Sequence, residues 1–272
     1  MGRCCVLKVS ITHTGEYMKT ITAVATLSIL LSLAPSAQAE SKRQFCNDRS
    51  SSKSIKSNKF TSSSFLSFRN QGGLLNAGVC WWHSRFQRNS MLLAKFRPNL
   101  PAPTTKEAKK IIKAIRKGKK VVEVPGFKNM RNFSYYYSSE IQRELEKWQK
   151  GDGILRQQWI VGLAGSHEIS AEKLSKKMDE LYDYVKVQGN IAYEKLQIDG
   201  IDAHAWIVGD MERTSRGYDL KVLDSNYQQT QVYKYRRGMT SFHHNYYGTF
   251  VPYLERKREY KKVLKTVSKY CK

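Results

Sequence analysis

The chain has 272 residues, with 47 Lys and Arg against 23 Asp and Glu, for a formal net charge of +24. That length leaves room for one globular unit with a sizeable core, in one or two lobes. The excess of positive charge sets aside cationic partners and favours anionic ones: cell-wall polymers, lipid head groups, acidic proteins or nucleic acid.

In chain order, the first informative segment is T-I-T-A-V-A-T-L-S-I-L-L-S-L-A, Thr20 to Ala34, preceded by Lys19 and followed by Ala37-Gln38-Ala39. A short apolar run with a basic residue before it and small residues at a peptidase site after it is the pattern of a secretory signal. It is too short and too poorly flanked for a stable membrane span. Such a signal begins at its own methionine, so translation is expected from Met18 and residues 1–39 are set apart from the fold. Removing them takes away Arg3, Lys8, Lys19 and Glu16 and leaves +22. The expected address is bacterial periplasm or secretion, which makes nucleic acid the least expected of the anionic partners.

Three cysteines remain after that segment: Cys46, Cys80 and Cys271. An oxidising compartment favours pairing, and an odd count leaves one thiol over. Cys46 follows the new N-terminus and Cys271 is the penultimate residue. A disulfide between them fastens the ends of the domain together and leaves Cys80 free.

Residues 40–64 are Ser/Lys-rich without an apolar period and read as a flexible lead-in, with structure beginning near Phe65. Asn70-Gln71-Gly72-Gly73 signals a turn. Cys80 then opens a segment in which Trp82, Phe86, Met91, Leu92 and Phe96 recur at helical spacing, up to Pro98. Thr104 or Thr105 caps a basic helix with Ile111, Ile112 and Ile115 on its apolar face and Gly118 at its end. Val121 to Val124 reads as a short strand. Ser139-x-x-Gln142 reads as a capping-box start to a helix reaching Lys150, and Ser170 caps another with Leu174, Met178, Leu181 and Val185 on one face. From Asn190 the period becomes twofold. Ile191–Ile198 and Ile201–Val208 form a hairpin around a two-residue Asp199-Gly200 turn, and Tyr218–Leu223 and Gln231–Tyr235 continue the strands. Tyr253–Tyr270 reads as a closing basic helix. The fold class is α+β, helices first and an antiparallel sheet after.

Cys80 in a first helical turn sits where the dipole favours a thiolate, the nucleophilic form. Gly78 lets a substrate approach the backbone, and the Cys80 amide is free to donate to an oxyanion. A nucleophile also needs a base and a group that orients the base. His83 lies on the helix of Cys80 with little freedom to move protons. His204, in I-D-A-H-A-W-I-V, is flanked by Ala203 and Ala205 on the strongest strand. The next strand ends in L-D-S-N-Y, where Asp224 or Asn226, which share a face, can hold the ring. A metal set of His243, His244 and Cys80 matches no recurrent ligand spacing, so no metal or cofactor is expected.

The segments G-V-C-W-W (Gly78–Trp82), A-H-A-W-I-V (Ala203–Val208) and V-L-D-S-N-Y (Val222–Tyr227), in this order, resemble the papain-like cysteine peptidase superfamily. The resemblance covers Phe65 to about Tyr235 and is specific only in those motifs. It implies a helical lobe (residues 65–189) with the Cys on its central helix, and a β-rich lobe (190–272) with a C-terminal helix, carrying His and Asp. It also implies a Cys80–His204–Asp224 triad cleaving peptide or amide bonds, with an amide near the Cys completing the oxyanion site. Papain has a Gln six residues before its Cys. Here Gln71 lies nine before and Asn76 four before, and either is a candidate, with Asn76 slightly preferred for proximity. The orienter resembles the Asp of bacterial and effector-type relatives more than papain's Asn, and no helical maturation propeptide precedes Cys80. Trp81, Trp82 and Trp206 are core candidates, Trp81 and Trp206 being also candidates for a substrate wall. The expected partners are a peptide or protein, cell-wall peptide included, and anionic surfaces, with the chain a monomer. Three alternatives stay open: a cell-wall amidase of the CHAP type, a transglutaminase-like acyl transferase, and a non-catalytic basic module in which Cys80 is a core thiol.

Overall fold

The computed structural model describes residues 39–73, 78–155, 165–199 and 203–272. The signal segment with Met18, Asn76, and the Gly200-Ile201 half of the expected turn lie outside the described residues. Helix and sheet are both present, as expected for an α+β chain, and the described residues form one compact unit.

The Ser/Lys-rich stretch is not a loop. It forms α1 (Lys42–Asn47) and α2 (Ser52–Lys59), capped by Ser41 and Ser51, whose hydroxyls accept from Gln44 and Ser54 N–H. Phe45 and Ile55 are buried. Arg49 is buried with them and donates to the carbonyls of Phe45 and Ala94. Tertiary anchoring of this kind overrides a sequence with no apolar period of its own. Cys46 and Cys271 form the expected disulfide, tying α1 to the last helix across a separation of 225 residues.

Helix α3 (Cys80–Leu93) is buried along almost its entire length. It ends earlier than Pro98 requires, because Ala94–Arg97 (β1) leaves it to pair in parallel with β2 (Val122–Pro125). Between them α4 (Thr105–Lys117) carries a full capping box from Thr104 and Glu107, and stops at Gly118 in the left-handed conformation. A helix not expected from the sequence, α5 (Met130–Tyr136), comes first and is capped by Asn129. The helix expected from Ser139 is α6 (Ser138–Gln149), but it starts without a side-chain cap, so the Ser139–Gln142 capping box does not form. The backbone continues past Gly151 as a π-turn, Lys150–Leu155. Ser170 caps α7 (Ala171–Tyr182) as its hydroxyl predicts.

The sheet contains β3 (Ala192–Ile198), β4 (Ala203–Thr214), β5 (Gly217–Asp224), β6 (Gln231–Arg236), β7 (Phe242–His244) and β8 (Gly248–Glu255), all antiparallel in the order β6-β5-β4-β3-β8-β7. The hairpin register differs from a two-residue turn. Gln197 faces Ala203, so five residues separate this pair where such a turn leaves four. β7 and most of β8 occupy a stretch given no element from the sequence, β8 takes the first residues of the expected closing helix, and that helix, α8, runs from Lys257 to Cys271.

Packing does not follow a division at residue 189. Leu174, Met178 and Leu181 of α7 pack with Leu196, Trp206, Val208 and Val222 on one face of the sheet. Leu92 and Leu93 of α3 and Tyr260, Val263 and Val267 of α8 pack with Ile191, Ile207 and Leu223 on the other. A third cluster joins Trp82 and Phe86 of α3 to α4, α5 and α6. Helix α3 is therefore shared by the sheet and the helical body.

Candidate active site

The start of α3 is held against β4 by a gap in the sheet. β5 stops pairing at Asp224, opposite Trp206, so the Ala203–Ala205 end of β4 lacks a strand on that side. Side chains from the first turns of α3 bond to the carbonyls at this end of β4. Cys80 Sγ donates to Ala203 O at 3.6 Å, Trp81 Nε1 to His204 O at 3.1 Å, and Ser84 Oγ to Ala205 O at 3.0 Å. These three bonds fix the start of α3 against β4 and bring the thiol beside His204.

His204 and Trp206 lie on one side of β4, with Asp224 directly across from Trp206. Asp224 thus reaches His204 on the diagonal, and His204 Nε2–H donates to Asp224 Oδ1 at 2.6 Å. Asp224 is fully buried. Its Oδ1 also accepts from Asn226 N–H at 2.9 Å, and its Oδ2 from the hydroxyls of Tyr233 at 3.2 Å and Tyr247 at 3.5 Å. Burial works against the carboxylate, but the His204 charge and these donors outweigh it and hold Asp224 below its ordinary value. Burial works against the imidazolium too. The Asp224 carboxylate, the neighbouring Cys80 and hydrogen bonds to both overcome it, and push His204 up to about 10. With Nε2 committed to Asp224, Nδ1 is the nitrogen left to exchange a proton with the thiol.

These groups open on a cleft of about 420 Å³ whose lining includes Asn70, Gln71, Gly78, Asn226, Tyr246 and Tyr247. Cys80 is the first residue of α3, where backbone N–H groups have no acceptor within the helix. Its amide is suited to an oxyanion. Gln71 lines the cleft, while its own carbonyl accepts from Gln142 Nε2. Asn226 lines it as well, its side chain accepting from Asn70 Nδ2 at 3.4 Å rather than holding His204.

Three residues here were not singled out from the sequence. Asn70 accepts from Val79 N–H through Oδ1, and its own N–H donates to Ser225 O, joining the approach to α3 to the end of β5. Gly78 has φ +74, and a Cβ there would meet Asn70 Nδ2 at 2.7 Å, so the glycine is needed for this close approach. Tyr233 and Tyr247 are the others. Tyr247 is tilted over the His204 ring at 5.3 Å and stacked on His244 at 4.1 Å. The available signal was the density of Tyr between residues 227 and 247, which says nothing of where their hydroxyls go.

The tryptophans fall on the core side. Trp206 is fully buried, donates from Nε1 to Glu194 Oε2 at 2.7 Å and cannot wall a cleft. Trp82 is buried, and Trp81 is half-buried with Lys195 Nζ 5.2 Å from its ring centroid. Among the described residues His244 bonds to Tyr227 through Nε2. Comparison with protein families, curated proteins and solved structures finds no match for this chain.

Proposed function

We propose that the protein is an exported thiol hydrolase of the papain-like kind that cleaves peptide or amide bonds. The observation that supports this best is a single imidazole bonded at 2.6 Å to a buried carboxylate and coupled to a free thiol at a helix start, beside an open cleft. A buried structural thiol would need none of these partners. The division into a helical body and a sheet meeting along α3 suits the same reading, and the Cys46–Cys271 disulfide suits an oxidising compartment.

Cys80 Sγ adds to the substrate carbonyl carbon, and the proton resides on His204 Nδ1. The tetrahedral oxyanion takes hydrogen bonds from the Cys80 amide and an amide side chain, Gln71 being the candidate inside the described cleft. The C–N bond breaks as His204 gives its proton to the departing amine, leaving a thioester on Cys80. Water then adds to the thioester while His204 takes its proton, and collapse releases the carboxylic acid and returns the thiol. Asp224 keeps the imidazole oriented and stabilises its charge throughout.

The test is alkylation of Cys80 by iodoacetamide across pH, with incubation of the unalkylated protein with casein and with peptidoglycan in parallel. A Cys80 that reacts well below pH 7 and slows when His204 is replaced by Ala supports the thiol chemistry. Released peptides then separate peptidase from wall amidase. Reaction no faster than a free thiol, unchanged by His204→Ala, sinks the enzyme reading and leaves a basic binding module.

A further inference from the structure

The helices α4 and α8 share a second concave feature, away from the cleft. The apolar side of α4 (Ala108, Ile112, Ile115) faces inward, and Lys106, Lys109, Lys113 and Lys117 face solvent. Helix α8 buries Tyr260, Val263 and Val267 and exposes Lys261, Lys262, Lys265 and Lys269. The exposed acid of α4, Glu107, is engaged by the Thr104 cap. Thr266 Oγ1 donates to Gly118 O at 3.1 Å and stitches the two helices together.

Between them lies a groove of about 590 Å³. Its floor is already neutralised: Arg85 bridges Asp152 and Glu259 at 2.8 Å each, and Arg116 pairs with Glu144 at 2.7 Å. Lys117, Lys119 and Lys262 line it exposed, and among the described residues none of them has an ion-pair partner. The positive potential is therefore concentrated at the mouth of a concave site, on flexible side chains.

We propose that this groove binds a linear polyanion of the polyol-phosphate type found in cell walls. Lysines act as point charges and follow mobile phosphates without the geometric demand of arginine. A bilayer is a poorer fit, because neither helix presents an outward apolar side chain to insert. Single-stranded nucleic acid is poorer too, since it relies on open aromatic platforms. The groove's aromatic ring, Trp148, is buried, with the Arg85 guanidinium 4.1 Å from its centroid. The proposal stands apart from the thiol chemistry, as none of these lysines lines the Cys80 cleft.

The test measures binding of the full chain to poly(glycerol phosphate), to oligothymidylate and to phosphatidylglycerol vesicles over a range of salt concentrations. The expected result is that poly(glycerol phosphate) binds most tightly and that binding weakens steeply with salt. The triple variant K117Q/K119Q/K262Q should lower the slope of log affinity against log salt by about two and weaken low-salt binding at least about tenfold. A control at exposed lysines that do not line the groove, K173Q/K176Q/K234Q, should bind as the unaltered chain does. The single variants K117Q and K262Q give graded losses should the triple variant fold poorly. Equal losses in the two triple variants, or no loss in the first, overturn the site. Tighter binding of vesicles or oligothymidylate overturns the ligand class.

Discussion

Two histidines lie near the start of α3, both buried, and they titrate in opposite directions. His83 is on the helix itself, its Nε2–H donating to Phe68 O at 3.2 Å, and its Nδ1 has no partner. Burial dominates there, and its pKa falls to about 4 despite the bond to Phe68. His204, on β4, suffers the same burial but faces Asp224 and Cys80 and rises to about 10. Burial alone makes a buried imidazole inert. A carboxylate and a thiol beside the ring hold His204 in the protonated form that the proposed acid–base role needs, and nearness to Cys80 in sequence counts for nothing.

Replacing the two residues in turn is the strongest way to break that contrast. Cys80→Ala should abolish both alkylation at this site and hydrolysis. His204→Ala should lower turnover by roughly 10³-fold, in the range typical of a lost acid–base group. His83→Ala should leave turnover within about threefold while lowering the unfolding free energy by about 1–3 kcal/mol, the cost of a vacated buried site and an unpaired carbonyl. Steady-state kinetics with urea titrations on the same preparations read both. A larger turnover loss from His83→Ala than from His204→Ala would reverse the assignment.

Asp224→Asn should come next, with turnover reduced by about 10²-fold. It keeps the shape but removes the carboxylate that overcomes burial, so the His204 pKa should fall and with it the support for the proposed thiolate. The loss should be greater at pH 5–6 than at pH 9, where the thiol ionises without help. A uniform loss across pH would mean that Asp224 only orients the ring.

Stability against pH sharpens the same comparison. His83 has a folded value lowered to about 4, so the unfolded chain binds more protons as pH falls from about 6.5 to about 4. Stability should drop across that window, by up to about 3 kcal/mol, and His83→Gln should flatten the slope. The raised His204 contributes stability that is complete below about 6.5 and lost as pH rises through about 10. His204→Gln should flatten that alkaline limb instead. Thermal midpoints measured from pH 4 to pH 10 would reveal a failure of either sign.

The polar residues of this contrast were legible in the sequence, because their signals are local. A thiol at the opening of an apolar helical period, a histidine between alanines on a strand and an acid at the end of the next strand each follow from spacing alone. The Cys46–Cys271 bond followed from position in the chain, and the α4 cap from Thr104 and Glu107. What was missed depends on distant partners. Helices α1 and α2 exist because Phe45, Ile55 and Arg49 find a core supplied by α3 and α8. β1 leaves a helical pattern because β2 offers a parallel partner. The hairpin register is set by the ladder and not by the Asp199-Gly200 signal, and Asn70 and Tyr247 gain their places only when the ends of β5 and α3 meet.

The smallest effect tests that last group. Tyr233→Phe and Tyr247→Phe each remove one donor to Asp224 Oδ2 and keep the ring, including the one that covers His204. Each should cost turnover roughly threefold, less than a full charged hydrogen bond because the contacts are long. The direction in pH is the decisive part. With fewer donors the carboxylate becomes more basic and pulls harder on the imidazolium, so the alkaline limb assigned to His204 should move to higher pH, opposite to its movement in Asp224→Asn. The acid limb assigned to His83 should stay where it is, since neither tyrosine touches that ring. A tyrosine variant that moves both limbs together would show a general loosening of the fold in place of a specific hold on Asp224.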